Sequence, residues 1–270
     1  MGGFGESRLP RRRFLGTMAF GGLPVSSLLR REDFRAVPAD FPRNDLARVQ
    51  SVVGASHGNF ERVRELVLEQ PALAKSSWDW GFGDWETPLG AASHTGRREI
   101  AEFLIDHGAR PTIFSAAMMG DLPTVRAFLA VDRDLHRLHG PHGISLLRHA
   151  RAGGEGAQPV VDDLIDRFGP DEHPLGFAGD AAADARYGGS YAFQVQPAFR
   201  IVVGVRNDWL MIGTDEEPSS RVLEVGEDVF HPTGAPAVRL RFDVRDGSAV
   251  ALTIEDGPMR VTGSRTGPDR

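Results

Sequence analysis

The sequence predicts an α + β multidomain chain, a solenoid of about four helix pairs followed by a small antiparallel β-barrel or sandwich. Two observations carry that reading. A glycine-led apolar register recurs through residues 44–169, and past residue 185 the pattern turns to short alternating stretches separated by Gly, Pro, Asn and Asp. A chain of 270 residues has room for both parts and for a proper core. Its net charge of −6 lacks the basic excess of a general nucleic-acid binder. Without cysteine it has no disulfide framework, thiolate nucleophile or cysteine zinc site.

Residues 1–39 read as an address and a linker. Arg11, Arg12 and Arg13 precede Phe14, Leu15 and a modest apolar run to residue 29, the order of a signal peptide's basic and apolar regions. The run is glycine-rich and short of the roughly 20 apolar residues of a membrane span. Arg11 and Arg12, one spacer, then Phe14 and Leu15 resemble the twin-arginine export motif. That resemblance implies a bacterial protein exported to the periplasm or beyond, touching the membrane only transiently through this segment.

The clearest repeat unit runs Thr87-Pro88-Leu89-Gly90-Ala91-Ala92, then Gly96, Ile100, Phe103 and Leu104, closing on His107-Gly108-Ala109. Thr87 is placed to cap a helix, Pro88 sits where a missing N–H costs nothing, and the paired alanines allow close helix approach. Gly96 ends the first helix, and the apolar residues after it form one face of the second. Three further segments keep the register. Gly58 precedes Val63, Leu66 and Val67; Gly120 precedes Val125, Phe128 and Leu129; and a glycine-rich insertion at 153–156 leads to Val161, Leu164 and Ile165. The second unit resembles the ankyrin repeat, except that Gly90 replaces the family's usual histidine. The resemblance implies a stack with a concave face that binds a protein partner.

Between the first two units, Trp78, Trp80, Phe82 and Trp85 fall among Asp79, Gly81, Gly83, Asp84 and Glu86. The glycines permit a tight reversal, so the segment reads as a hairpin finger. Its aromatic rings either close over the repeat core or form a contact surface with a negative rim. In the second case Trp78, Asp79, Trp80, Asp84, Trp85 and Glu86 bind the partner. His136, His139, His142 and His149 match no zinc-ligand spacing and lie in or beside a turn, so they read as structural, with no metal or other cofactor expected.

After a connector at 170–184, alternating stretches at 191–195, 199–205, 209–212, 222–225, 229–231, 238–244, 250–254 and 259–262 predict strands. This β-domain, 185–265, resembles the accessory domain appended to β-lactamase-like serine hydrolases. The resemblance rests on Tyr187-Gly188-Gly189-Ser190-Tyr191, Trp209-Leu210, Leu223, Phe230 and Leu240-Arg241-Phe242 with Asp246-Gly247. No nucleophile elbow, HExxH, phosphate loop or dinucleotide fingerprint occurs. The expectation is therefore a non-catalytic exported protein-binding scaffold, with no catalytic residues and no nucleic-acid partner. The alternatives are a β-barrel carrying an apolar small molecule, with the repeats as docking arm, or a hydrolase-associated accessory protein.

Overall fold

The computed structural model describes residues 42–170, 184–195, 198–206, 209–214, 218 and 220–266. The export motif at Arg11, Arg12, Phe14 and Leu15 lies outside the described residues, as does most of the connector.

Among the described residues eight α-helices come first: α1 (Leu46–Ala55), α2 (Phe60–Glu69), α3 (Pro88–His94), α4 (Arg98–Asp106), α5 (Ile113–Met119), α6 (Leu122–Val131), α7 (Leu146–Ala152) and α8 (Gln158–Phe168). Local chemistry sets their starts. Asp45, Asn59, Asp121 and Ser145 each cap a helix by accepting from a backbone N–H three residues on. Thr87 accepts from Gly90 N at 2.9 Å with Pro88 in the first turn, as the sequence predicts. Thr112 and Ser115 form a reciprocal capping box.

The glycine-led register is the buried stripe. Val63, Leu66 and Val67 on α2, and Ile100, Ala101 and Leu104 on α4, are buried. Phe128 departs from it, because α6 buries Val125 and Leu129 and leaves the phenylalanine 39% exposed. Ala91 and Ala92 on α3, and Ala116 and Ala117 on α5, are buried where the first helices of the units meet. There α3 packs against α1, α5 and α7.

Eight strands follow: β3 (Gly189–Phe193), β4 (Phe199–Arg206), β5 (Trp209–Gly213), β6 (Ser220–Gly226), β7 (Val229–Pro232), β8 (Arg239–Arg245), β9 (Ser248–Asp256) and β10 (Met259–Thr266), after a two-strand finger of β1 (Trp78–Asp79) and β2 (Trp85–Glu86). Each predicted strand is present. They form a closed antiparallel barrel in which each pairs with the next and β10 returns to β3, which settles the choice between barrel and sandwich.

Side chains fill the barrel. Tyr191, Phe193, Phe230, Leu240, Phe242 and Leu252 belong to one buried cluster, so the room an apolar ligand would need is occupied by the protein's own aromatic and aliphatic groups. The Tyr191 hydroxyl donates to Tyr187 O at 2.6 Å, and the Tyr187 hydroxyl to Asp228 Oδ1 at 2.7 Å. Burial first, and for Tyr187 also Asp228, pushes both phenols up to about 12, so both stay neutral donors.

The barrel packs on the finger side of the helices, and Pro42–Arg270 forms one compact unit. Phe82, at the finger tip, packs against the barrel core. Gly143 has φ +68°, and a Cβ there would stand 2.5 Å from the Thr233 carbonyl oxygen. A Cβ on Gly234 would stand equally close to the Asp84 carboxyl carbon, at 2.5 Å. Glycine at 143 lets two backbones meet, and glycine at 234 lets the Asp84 side chain lie against the barrel's backbone.

Candidate metal centre

The finger does not present its acidic residues to solvent. Glu86 is fully buried and Asp84 is 8% exposed, which corrects the reading of both as a negative rim for a partner. The physical reason is that Glu86 is enclosed by His57, His94, His142 and Trp80, and Asp84 by His142 and Gly234 of the barrel. Trp78 and Trp80 pack against the helical core, so these two rings staple the finger. Asp79 accepts from Gly81 N at 2.8 Å and shapes the turn. Trp85, at 60% exposure, is the finger aromatic open to solvent.

Glu86 is the hub. Its Oε1 lies 2.9 Å from His94 Nε2, and its Oε2 lies 3.5 Å from His57 Nε2 and 3.4 Å from His142 Nε2. Trp80 Nε1 also donates to Oε2 at 2.8 Å. Three separate points along the helical part bring the rings together. His57 follows α1, His94 ends α3, and His142 lies in the 3₁₀ turn before α7 with φ +59°. One donor atom from each ring and one Glu86 oxygen all lie within 4.8 Å of one another.

Two of the rings, His142 and His57, are held by their other nitrogens. His142 Nδ1 donates to Asp84 Oδ2 at 2.8 Å, while the His142 backbone N–H donates to Asp84 Oδ1 at 2.9 Å. His57 Nδ1 donates to Gly54 O at 3.1 Å. Anchoring Nδ1 leaves Nε2 directed at the cluster, the way metal-bound histidines are oriented by a carboxylate or a backbone carbonyl. Two ligands about 2.0–2.1 Å from a tetrahedral ion are roughly 3.3 Å apart. The Glu86 separations bracket that spacing.

The electrostatics is polarised. Burial favours the neutral forms, but hydrogen bonds from His142 and His94 hold Glu86 down to about 2. Burial likewise opposes charge on His142, while Asp84 and Glu86 overcome it and raise its pKa to about 10. Burial lowers His57, helped by His94 and His142 and opposed by Glu86. The pocket is thus built for positive charge beside Glu86.

The other three histidines of the predicted structural run stay apart from the donor set. His136 stacks on Phe168 at 3.8 Å, and His139 pairs with Ser145 in an isolated β-bridge. His149 is buried behind His94, its Nδ1 on Ser145 O at 2.9 Å, and burial lowers its pKa to about 4. The sequence reading set aside His142 and did not weigh His57 or His94. A signal existed, since His57 and His94 stand at the ends of the first helices of adjacent units. A Cβ on Gly90 would stand 3.2 Å from Pro141 Cγ, in the turn that delivers His142.

The cluster opens into a cleft of about 460 Å³. His57, His94, His142 and Trp80 line the helical side. The opposite wall is the outer face of the barrel, where Met211 on β5 pairs in register with Arg221 on β6. Arg206, at the end of β4, lines the same wall.

These features define an eight-helix assembly joined to a closed β-barrel, with a histidine–carboxylate donor set on the helical side of the cleft between them. The ankyrin-repeat family model matches residues 84–116, the second unit of the register, which is similar to the ankyrin repeat. No curated protein matches the chain.

Proposed function

We propose that the chain is a non-catalytic, metal-dependent binding protein in which His57, Glu86, His94 and His142 hold a divalent transition metal, zinc being the natural fit to three imidazoles and a carboxylate. The observation that carries this reading is the convergence of four donor atoms within 4.8 Å, with His57 and His142 already anchored through Nδ1. In this reading the ankyrin-like helices are a four-pair scaffold, and their finger side recognises the chain's own barrel.

Elemental analysis after exhaustive dialysis against zinc tests it. One zinc per chain is expected, with loss of binding in His94→Ala and a weakened site in His57→Ala, whose ring is at the cluster's edge. No zinc retained by the folded wild type would reduce the cluster to an ion-pair network tying the units together.

The ankyrin match and the 60% exposure of Trp85 favour a second reading, a scaffold for an external protein partner. Export belongs to either reading. Changing Arg11 and Arg12 to lysine should retain the protein in the cytoplasm, and continued twin-arginine-dependent export would count against that address.

A further inference from the structure

The cleft has a histidine wall and an arginine wall. His57, His94 and His142, gathered on the buried Glu86, line the helical side, Arg148 reaches in from α7, and Arg206 and Arg221 project from the outer face of the barrel. Alternation along the strands fixes this. Ile201 and Val203 on β4, and Val222 on β6, are in the barrel core, so Arg206 and Arg221 fall on the opposite face.

Among the described residues, none of these three arginines has a carboxylate partner. Arginines elsewhere do, as Arg126 with Asp163 and Arg241 with Glu255. The Arg221 guanidinium lies 4.7 Å from the Trp209 ring centroid and is steadied there. Burial, and then the charges of Arg148 and Arg206, lowers the Arg221 pKa, so the three cations sense one another. Like charges that converge at one cleft repel one another, and a bound anion relieves that repulsion. Arginine forks match the oxygens of phosphate and carboxylate.

We infer that this cleft binds a small oxyanion of two negative charges, a phosphate or a dicarboxylate, between the histidine–Glu86 wall and Arg148, Arg206 and Arg221. The inference rests on the metal reading for the identity of one wall and on the arginines for the other. Trp80, Ile144 and Met211 offer apolar surface to a carbon skeleton. The volume lies within the range of about 300–1,000 Å³ typical of small-molecule sites.

Calorimetric titration of the full chain with inorganic phosphate and with malonate, at constant ionic strength set by chloride, tests the inference. Both titrations are run on zinc-loaded and metal-free protein, with zinc content measured separately. Saturable binding of either dianion is expected, and the arm that binds more tightly separates a phosphoryl from a dicarboxylate ligand. Arg221→Gln should weaken binding at least tenfold, and so should Arg206→Gln, a surface change that leaves the fold intact. Both variants should keep the wild-type zinc content. Arg221→Lys should recover only part of the affinity, because it keeps the charge and loses the fork. No binding above the chloride background, or equal binding by wild type and both glutamine variants, would overturn the proposal. Loss of zinc alone would strike the metal reading, because the metal-free titration still reports the arginine wall.

Discussion

His142 stands between two carboxylates, its Nδ1 2.8 Å from Asp84 Oδ2 and its Nε2 3.4 Å from Glu86 Oε2. The outer partner fixes the ring so that the inner nitrogen faces the donor set. Replacing an outer-shell partner of this kind costs about 10–100-fold in metal affinity. Asp84→Asn should therefore lower zinc affinity by that factor while retaining the binding stoichiometry. Competition with a chromophoric chelator measures it, and an unchanged affinity would remove Asp84 from any role in orienting His142.

Phe82 joins the finger to the barrel core, so it belongs to the stability of the helix–barrel contact. Truncating a large aromatic in a full core costs about 3–5 kcal/mol, and a partly buried one less. Phe82→Ala is expected to destabilise the chain by about 1–3 kcal/mol. If helices and barrel unfold together, one transition should shift as a whole. A variant in which the helical signal and the tryptophan signal separate would show that the contact couples the two parts only weakly.

Much of this architecture was legible in the residues. The strands were visible because one barrel face is buried and the other wet, which imprints alternation such as Leu240, Arg241 and Phe242. The helix pairs were visible because Gly96 and Gly120 punctuate buried stripes. The site was not, since His57, Glu86, His94 and His142 are separated by up to tens of residues and meet only when the units stack. Composition could not show that Glu86 is buried, because an acidic residue beside tryptophans reads equally well as an exposed rim. The arginine wall was hidden for a related reason. Arg206 and Arg221 become neighbours through barrel register, which single-strand alternation does not specify.

Asp163 on α8 is held by two arginines, with Arg126 Nη2 2.6 Å from Oδ1 and Arg167 Nε 3.0 Å from Oδ2. Burial raises its pKa, but these hydrogen bonds prevail and the net shift is downward. A carboxylate depressed on folding contributes stability above its unfolded pKa and loses it as pH falls through the folded value. The wild type should thus lose this contribution only below the usual aspartate range, near pH 4 and under. Asp163→Asn should destabilise at neutral pH and flatten that part of the acid-denaturation profile. Equal acid profiles for both proteins would mean that the two arginines contribute nothing there.

Trp85 separates the two uses of the finger. Trp80 donates to Glu86 at 2.8 Å and rests on the helical core, so replacing it disturbs the donor set. Trp85 is 60% exposed, and exposed positions away from special features usually change stability by no more than about 0.5 kcal/mol. Trp85→Ala should therefore leave unfolding and zinc content unchanged. If the chain also serves as a scaffold, the same variant should weaken capture of its partner by the order of tenfold or more, the loss typical of a tryptophan hot spot of about 2 kcal/mol. Side-by-side measurement with Trp80→Ala gives the contrast its meaning. The internal role predicts a zinc defect for Trp80 alone, whereas an external role predicts a capture defect for Trp85 at full zinc occupancy. Full capture by Trp85→Ala would leave the finger with one task, delivering Asp84 and Glu86 to the histidines.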